Sequence, residues 1–173
     1  MAKQGFNICI ISRNEQKINS KIDEINAACK EANTGLETMS IVADFSKLLT
    51  IKDYQDTIAN RLEGIDIGLL IANAGLMSFG PFAETRDWEV EEVFNVNATQ
   101  VVYLIKVMVN QLINRYDANG LRSGIIITSS GLGSMPISGT ITYSAAKSFA
   151  SFMGEGLNYE LKDKIDVMSY QAG

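Results

Sequence analysis

The sequence predicts an α/β fold built on a doubly wound parallel sheet, and three features of its 173 residues indicate it. Short apolar runs, which are typical of buried strands, alternate with longer segments of helical periodicity. The apolar runs end in polar turns, as parallel strands do where a helix follows. No linker rich in proline or glycine interrupts the alternation, which favours a single domain over residues 1–173.

The predicted elements alternate along the chain from residue 7 to residue 170. The predicted strands are 7–12, 38–43, 67–72, 124–129 and 165–170. The predicted helices are 15–31, 52–62, 88–93, 99–116 and 143–162. The third and fourth strands are the most clearly marked, because Leu69-Leu70-Ile71 and Ile125-Ile126-Ile127 are continuous apolar runs that favour buried parallel strands. Met1 to Gly5 is interpreted as the end of an earlier helix.

The predicted helix 99–116 is too apolar to face water along most of its surface. Its polar residues are confined to one narrow stripe, which consists of Lys106, Asn110 and Asn114. We expect one side of this helix to cover the sheet. The other side would contact a partner subunit or further segments of the same chain.

Composition excludes several classes of function. The chain has a net charge of −5 and no basic patch, so nucleic-acid or membrane-surface binding has no support in the sequence. It contains no histidine, which excludes a serine–histidine triad and most zinc chemistry, and we expect no metal site. Cys9 and Cys29 lack disulfide or metal-binding spacing, and we interpret both as reduced core thiols in a reducing compartment.

Targeting signals are lacking in the sequence as given. No stretch approaches about 18 consecutive apolar residues, and the first residues lack the charged-then-apolar pattern of a signal peptide. We therefore expect a soluble, cytoplasmic chain.

The most informative segment is Tyr143-Ser144-Ala145-Ala146-Lys147. On a helix, the four-residue spacing puts Tyr143 and Lys147 on one face, where an ammonium favours the ionised phenol. A phenol titrates near pH 10, so ionisation near neutrality needs a shift of about two to three units, or roughly 3–4 kcal/mol. The alternative is an ordinary surface pair in which the lysine stem covers the ring.

Other polar residues give the Tyr143 motif its context. Ser129-Ser130 follows the fourth predicted strand, and Asn73-Ala74-Gly75 follows the third. Ligands of open α/β sheets bind at the carboxyl ends of the strands. The polar motifs considered together with Tyr143 are, in chain order, Ser12-Arg13-Asn14, Asp44-Phe45, Ala72-Asn73-Ala74-Gly75, Asn95-Val96-Asn97, Ser129-Ser130-Gly131 and the segment from Tyr143 to Lys147.

With these motifs in this order, the chain resembles the short-chain dehydrogenase/reductase family from Gly5 to Gly173. It is most similar to the branch of 17β-hydroxysteroid dehydrogenases and very-long-chain 3-oxoacyl-CoA reductases, through the segment Ile65 to Leu70 and through Arg13. The resemblance implies a Rossmann-like sheet and a homodimer formed through helices 99–116 and 143–162. Because relatives in this branch are anchored in the endoplasmic reticulum membrane, that location is the alternative to the cytoplasm if an anchor preceded Met1.

The resemblance also implies catalytic roles. Tyr143 would be the general acid/base at the substrate oxygen, and Lys147 would lower its pKa and bind the nicotinamide ribose. Ser130 would hold the substrate oxygen. Ser129 lies one residue before the position of the family's catalytic serine. Asn97 would complete a water-mediated proton relay to Lys147; the alternative is a simple helix cap.

The resemblance places the cofactor on Ser12, Arg13, Asp44, Phe45, Asn73, Ala74, Gly75, Tyr143 and Lys147. NAD enzymes of this fold carry an acidic residue at the end of the fold's second strand. The predicted strand 7–12 corresponds to that strand, and it ends in Ser12-Arg13. A guanidinium suits a 2′-phosphate, which favours NADP(H); the alternative is a solvated loop arginine. Asp44 would bind the adenine amino group beside Phe45, or would only cap the next helix.

Two expected parts of the family fold are not found in the sequence. The glycine-rich phosphate loop would precede Ser12 by about twenty residues, before Met1. Gly131-Leu132-Gly133 does not replace it. The substrate lid and last strand would follow Gly173.

Three functions are therefore predicted as alternatives. We prefer an NADPH-dependent reductase of an apolar ketone, such as a 3-oxoacyl thioester or a steroid, in lipid metabolism. The second is a catalytically inactive scaffold or assembly subunit, and the third is a nucleotide-binding module without turnover.

Overall fold

The computed structural model describes residues 1–32 and 35–173, and it confirms the α/β class with parallel strands. The strands are β1 (Ile8–Ser12), β2 (Thr38–Val42), β3 (Leu69–Ala72), β4 (Ser123–Ser130) and β5 (Ile165–Ala172). The α-helices are α1 (Glu15–Ala32), α2 (Ile51–Thr57), α3 (Asp87–Phe94), α4 (Gln100–Asn119) and α5 (Ile141–Leu161). Shorter helical segments are the 3₁₀ turns Ala2–Gln4, Ala59–Leu62, Phe82–Glu84 and Gly131–Ser134, and the π-helical segment Asn95–Thr99.

The strands belong to two sheets instead of the single sheet predicted, and the chain divides into two compact units, Met1–Phe45 and Ser46–Gly173. In the first unit, β1 and β2 pair in parallel and α1 packs against both strands. Asn14 begins α1, since its Oδ1 accepts a hydrogen bond from the Lys17 backbone N–H at 2.9 Å. Ile18 and Ile41 are buried in this unit.

The second unit contains the parallel sheet β3-β4-β5. Ser123 and Ser129 bond to backbone carbonyls of α4 and α5, which places both helices on the same face of the sheet. Leu70, Ile125 and Val167 form a buried row on that face. The neighbouring residues point the other way. Ile71 in β3 and Met168 in β5 are accordingly 42% and 51% exposed, and Ile126 in β4 is half-buried, so this face of the sheet is less buried than the other.

Several predicted boundaries are wrong for local reasons. The predicted helix 52–62 ends at Thr57 and continues as a 3₁₀ turn, because the fully buried Ile58 adopts φ −119°. Thr50 caps α2 in a capping box with Asp53, so Asp44 does not cap it. Met1 to Gly5 forms a 3₁₀ turn that ends at Gly5 with φ 88°, a conformation that favours glycine.

The predicted surface of α4 is confirmed, because Lys106, Asn110 and Asn114 are exposed in a stripe. Cys29 is buried, as predicted, but Cys9 is exposed, since it alternates along β1 with the half-buried Ile8 and Ile10. None of the helices in the described part of the chain is long and apolar enough to cross a membrane.

Candidate active site

Tyr143 and Lys147 lie one turn apart on α5, as the four-residue spacing predicts. The Lys147 Nζ atom is 5.8 Å from the centroid of the Tyr143 ring. Lys147 is only 3% exposed, whereas Tyr143 is half-buried. The alternative of a surface lysine beside an aromatic ring is therefore wrong for this pair.

Lys147 is held at the carboxyl end of β4. Its Nζ donates a hydrogen bond to the Thr128 carbonyl oxygen at 2.7 Å. Burial lowers the pKa of Lys147 below its usual 10.5, because the charged form loses water. The carbonyl bond offsets part of this cost and fixes where the ammonium lies.

The two serines that end β4 have different surroundings, because adjacent residues of a strand point to opposite faces. The Ser129 hydroxyl donates to the Lys147 carbonyl at 2.6 Å and accepts from the Ser151 hydroxyl at 2.7 Å, which ties β4 to α5. The Ser130 oxygen accepts only the Leu132 backbone N–H, at 3.2 Å, among the bonds found in the described chain. The Ser130 proton is thus left to donate to a ligand.

The loop after β4 packs directly on the backbone of α5. A Cβ atom at Gly133 would lie 2.8 Å from the Lys147 carbonyl carbon and 2.9 Å from the Ser148 nitrogen. Only a residue without a side chain allows this approach. Gly133 therefore sets the distance between the serine loop and Lys147, a role that its spacing in the sequence did not reveal.

Asn97 does not cap a helix, so the alternative interpretation of this residue is wrong. It lies inside the π-helical segment Asn95–Thr99, which joins α3 to α4, and it is fully buried. Its Nδ2 donates to the carbonyls of Leu76 at 2.6 Å and Val93 at 2.7 Å, and its Oδ1 accepts from the Leu76 N–H at 3.3 Å. The side chain thus holds the loop that follows β3; π-helical turns often occur at functional sites.

Gly75 is the point where this loop, Asn97 and Lys147 meet. A Cβ atom at Gly75 would lie 3.3 Å from Asn97 Oδ1 and 3.6 Å from Lys147 Nζ. In the same loop, Asn73 is exposed and its Oδ1 accepts from the Thr128 hydroxyl at 2.9 Å. Of the predicted residues, the second unit therefore brings together Gly75, Asn97, Tyr143 and Lys147. Ser130 makes no hydrogen bond to these four among the described residues.

In the first unit, the predicted cofactor residues lie at the carboxyl ends of β1 and β2. Ser12 ends β1, and Arg13 precedes the first turn of α1. Arg13 is exposed, and within residues 1–32 and 35–173 it forms no ion pair or hydrogen bond through its side chain. Asp44 is half-buried and Phe45 is 8% exposed just after β2.

The sequence profile of the short chain dehydrogenase family matches residues 1–173. Very-long-chain 3-oxoacyl-CoA reductase of Anas platyrhynchos is 30% identical over 169 residues, which are 95% of this chain and 50% of that protein. 17-beta-hydroxysteroid dehydrogenase type 3 of Danio rerio is 31% identical over 170 residues, with the same coverage. The chain thus spans about half the length of these relatives.

The fold is also similar to solved structures of this class. A short-chain dehydrogenase from Sphingobium yanoikuyae in complex with NADPH is 26% identical, with a TM-score of 0.77 over 97% of this chain and 61% of that one.

Proposed function

The chain belongs to the short-chain dehydrogenase family, and we propose that it transfers a hydride between NADP(H) and a carbonyl or alcohol of an apolar substrate. One observation carries the proposal. A buried lysine lies beside Tyr143 on α5, and the same lysine lies next to Gly75, which Asn97 approaches as well. An isolated Tyr-x-x-x-Lys motif on a helix surface would not place its lysine against the loop that contains Gly75.

The residues of the second unit have complementary roles in this proposal. When bound, NADP(H) supplies or accepts the hydride. Tyr143 gives its phenolic proton to the substrate oxygen in reduction and takes a proton back in oxidation. Ser130 donates a hydrogen bond to the same oxygen. The Lys147 ammonium, held by the Thr128 carbonyl, favours the phenolate.

Asn97 has a positioning role in this proposal. Its amide is bonded to backbone groups of Leu76 and Val93, so it fixes the loop containing Gly75 beside Lys147. The water relay from Asn97 to Lys147 stays a prediction.

The preference for NADP(H) rests on the end of β1. Arg13 is exposed with no side-chain partner in the described ranges, which suits an incoming 2′-phosphate. Ser12 can donate to that phosphate, and Asp44 and Phe45 would receive the adenine. In the second unit, Asn73, Ala74, Gly75, Tyr143 and Lys147 would bind the nicotinamide end. The fold accommodates NAD as well as NADP, so Arg13 is the residue to test.

Titration of NADPH and NADH into the wild-type chain and Arg13→Ala tests this preference. Charged hydrogen bonds contribute about 1.5–3 kcal/mol, so we expect NADPH to bind roughly 10- to 100-fold more weakly to Arg13→Ala while NADH is unaffected. Lys17→Ala removes another exposed cation near the start of α1 and serves as the matched control. Equal weakening of both cofactors, or none in Arg13→Ala, would contradict the proposed phosphate contact.

An apolar substrate is supported by the loops that follow β3 and β4. The two loops are joined by a backbone hydrogen bond from Gly80 N–H to the Gly139 carbonyl, at 2.9 Å. Phe79, Phe82 and Met135 on these loops are 80%, 63% and 59% exposed. Long-chain 3-oxoacyl thioesters and steroid ketones should therefore be better substrates than short polar ketones, which a comparison of kcat/KM would test.

A homodimer through helices 99–116 and 143–162 is supported by an exposed stripe on α5. Phe149, Phe152 and Tyr159 recur at helical spacing and are 37%, 77% and 75% exposed. Light scattering after size exclusion should give a dimer for the wild-type chain and a monomer for Phe152→Glu. Phe79→Glu, which changes an equally exposed phenylalanine on the loop after β3, should stay dimeric. A monomeric wild-type chain at micromolar concentration would refute the dimer.

A further inference from the structure

Thr128 forms hydrogen bonds with Asn73 and Lys147, two residues to which the proposed function assigns cofactor binding. It lies in β4, two residues before Ser130. Its hydroxyl donates to Asn73 Oδ1 at 2.9 Å, and its carbonyl oxygen accepts from Lys147 Nζ at 2.7 Å. One residue of the strand therefore contacts both the loop after β3 and the lysine of α5.

The sheet register explains why Thr128 reaches Asn73. Ala72 is paired with Ile127, so the next residues along the two parallel strands, Asn73 and Thr128, lie side by side on the same face. Because threonine is branched at Cβ, few χ1 rotamers are open to it in a strand, which holds the hydroxyl in place.

The bond decides which end of the Asn73 amide is left for a ligand. A carboxamide has one acceptor oxygen and one NH₂ group with two donors. The oxygen is committed to Thr128, and the described part of the chain shows no hydrogen bond from Nδ2 of the exposed Asn73. Without the threonine hydroxyl, the amide could turn over and present its oxygen instead.

We propose that Thr128 is a positioning residue that holds the Asn73 amide with its N–H donors available to an acceptor oxygen of the bound nicotinamide cofactor, while its carbonyl holds Lys147. This inference rests on the proposed function. The two hydrogen bonds of Thr128 can be tested separately. A side-chain substitution removes the bond from the hydroxyl to Asn73 and leaves the bond from Lys147 to the backbone carbonyl.

The test compares Thr128→Val, which has the same shape without the hydroxyl, with Thr128→Ser, which keeps it. Thr128→Val should weaken NADPH binding about fivefold, as expected for one hydrogen bond, and Thr128→Ser should restore binding to within about twofold. The pH profile of turnover should be the same in all three proteins, because the carbonyl bond to Lys147 remains. A general distortion of β4 would shift that profile as well.

Two further measurements make the outcome decisive. Thr85→Val removes a hydroxyl that donates to the Pro81 carbonyl at 3.1 Å, and it should bind NADPH like the wild type. Thr128→Val in an Asn73→Ala background should cause no additional loss of binding. Unchanged NADPH binding in Thr128→Val, or a loss that Thr128→Ser does not restore, would overturn the proposal.

An NMR measurement on the cofactor-free chain tests the role of Thr128 independently of the proposed function. It records the side-chain amide signals of Asn73. They should shift in Thr128→Val and not in Thr85→Val. An unchanged Asn73 signal would overturn the role of Thr128 even if the chain binds NADPH. A shifted signal in a chain that binds no NADPH would support the orientation of the amide and refute the proposed function.

Discussion

Replacing Gly133 by alanine should destabilise the chain at the contact between the serine loop and α5. The added Cβ atom would lie 2.8 Å from the Lys147 carbonyl carbon, 2.9 Å from the Ser148 nitrogen and 3.1 Å from the Lys147 oxygen. Ordinary contacts begin near 3.4 Å, so the loop or the helix must move by about 0.6 Å from 2.8 Å to relieve the closest contact. These are backbone atoms of a helix, which cannot turn away as the end of a flexible side chain can.

Gly131→Ala is the matched control, because Gly131 belongs to the same 3₁₀ turn and its Cβ would have an ordinary contact of 4.0 Å with the Ala172 oxygen. Replacing glycine by alanine restricts the unfolded chain by a similar amount at both positions, about 0.4–1 kcal/mol. The difference between the two variants therefore isolates the steric cost. Overpacking of this kind costs about 1–3 kcal/mol, so Gly133→Ala should be less stable than Gly131→Ala by about that amount.

Urea denaturation followed by circular dichroism measures this difference. The free energy of unfolding should be lower for Gly133→Ala, with an unchanged dependence on urea concentration. Equal free energies of unfolding for the two variants would refute the argument, because the loop after β4 would then not be packed on the backbone of Lys147.

Three further substitutions test neighbouring contacts. Burial lowers the pKa of Lys147 below 10.5, so between the folded-state and unfolded-state pKa values the unfolded chain binds more protons and stability increases with pH. Urea titrations should thus show the wild type gaining stability over Lys147→Met as pH rises towards 10.5; a relative loss would contradict the burial. Ser129→Ala leaves the Lys147 carbonyl and the Ser151 hydroxyl without their partner and should cost about 1–3 kcal/mol in urea titrations, whereas the exposed Ser148→Ala should cost almost nothing. Thr50→Ala removes the cap of α2 and should cost about 0.5–2 kcal/mol in the same assay, and a variant as stable as the wild type would rule out the capping box.

The sequence predicted the order and type of the strands and helices because each carries its own periodicity. The boundaries of several elements differ from the predicted ones because they depend on local packing. Nothing in residues 52–62 marks the break at Ile58, which depends on the burial of that side chain in the tertiary structure. The π-helical segment around Asn97 is likewise hidden, because one additional residue in a turn does not alter the apolar pattern of the flanking helices.

For the site, the sequence predicted contacts that depend on spacing along one element. Tyr143 and Lys147 are neighbours because they lie four residues apart on a helix. The bonds from Asn97 to Leu76 and from Thr128 to Asn73 join residues 21 and 55 positions apart, and only the packing of separate elements brings them together. The sheet register could have suggested Thr128, because pairing of the third and fourth strands aligns it with Asn73.

The most direct measurement of the proposed function is single-turnover oxidation of NADPH by the chain with a long-chain 3-oxoacyl-CoA or a 17-oxosteroid. Tyr159→Phe is the matched control, because Tyr159 lies on the same helix and is 75% exposed. If Tyr143 is the general acid/base, Tyr143→Phe should still bind NADPH but react at least about 100-fold more slowly, while Tyr159→Phe reacts like the wild type. No oxidation by the wild-type chain, or equal rates for the two variants, would contradict the proposed function.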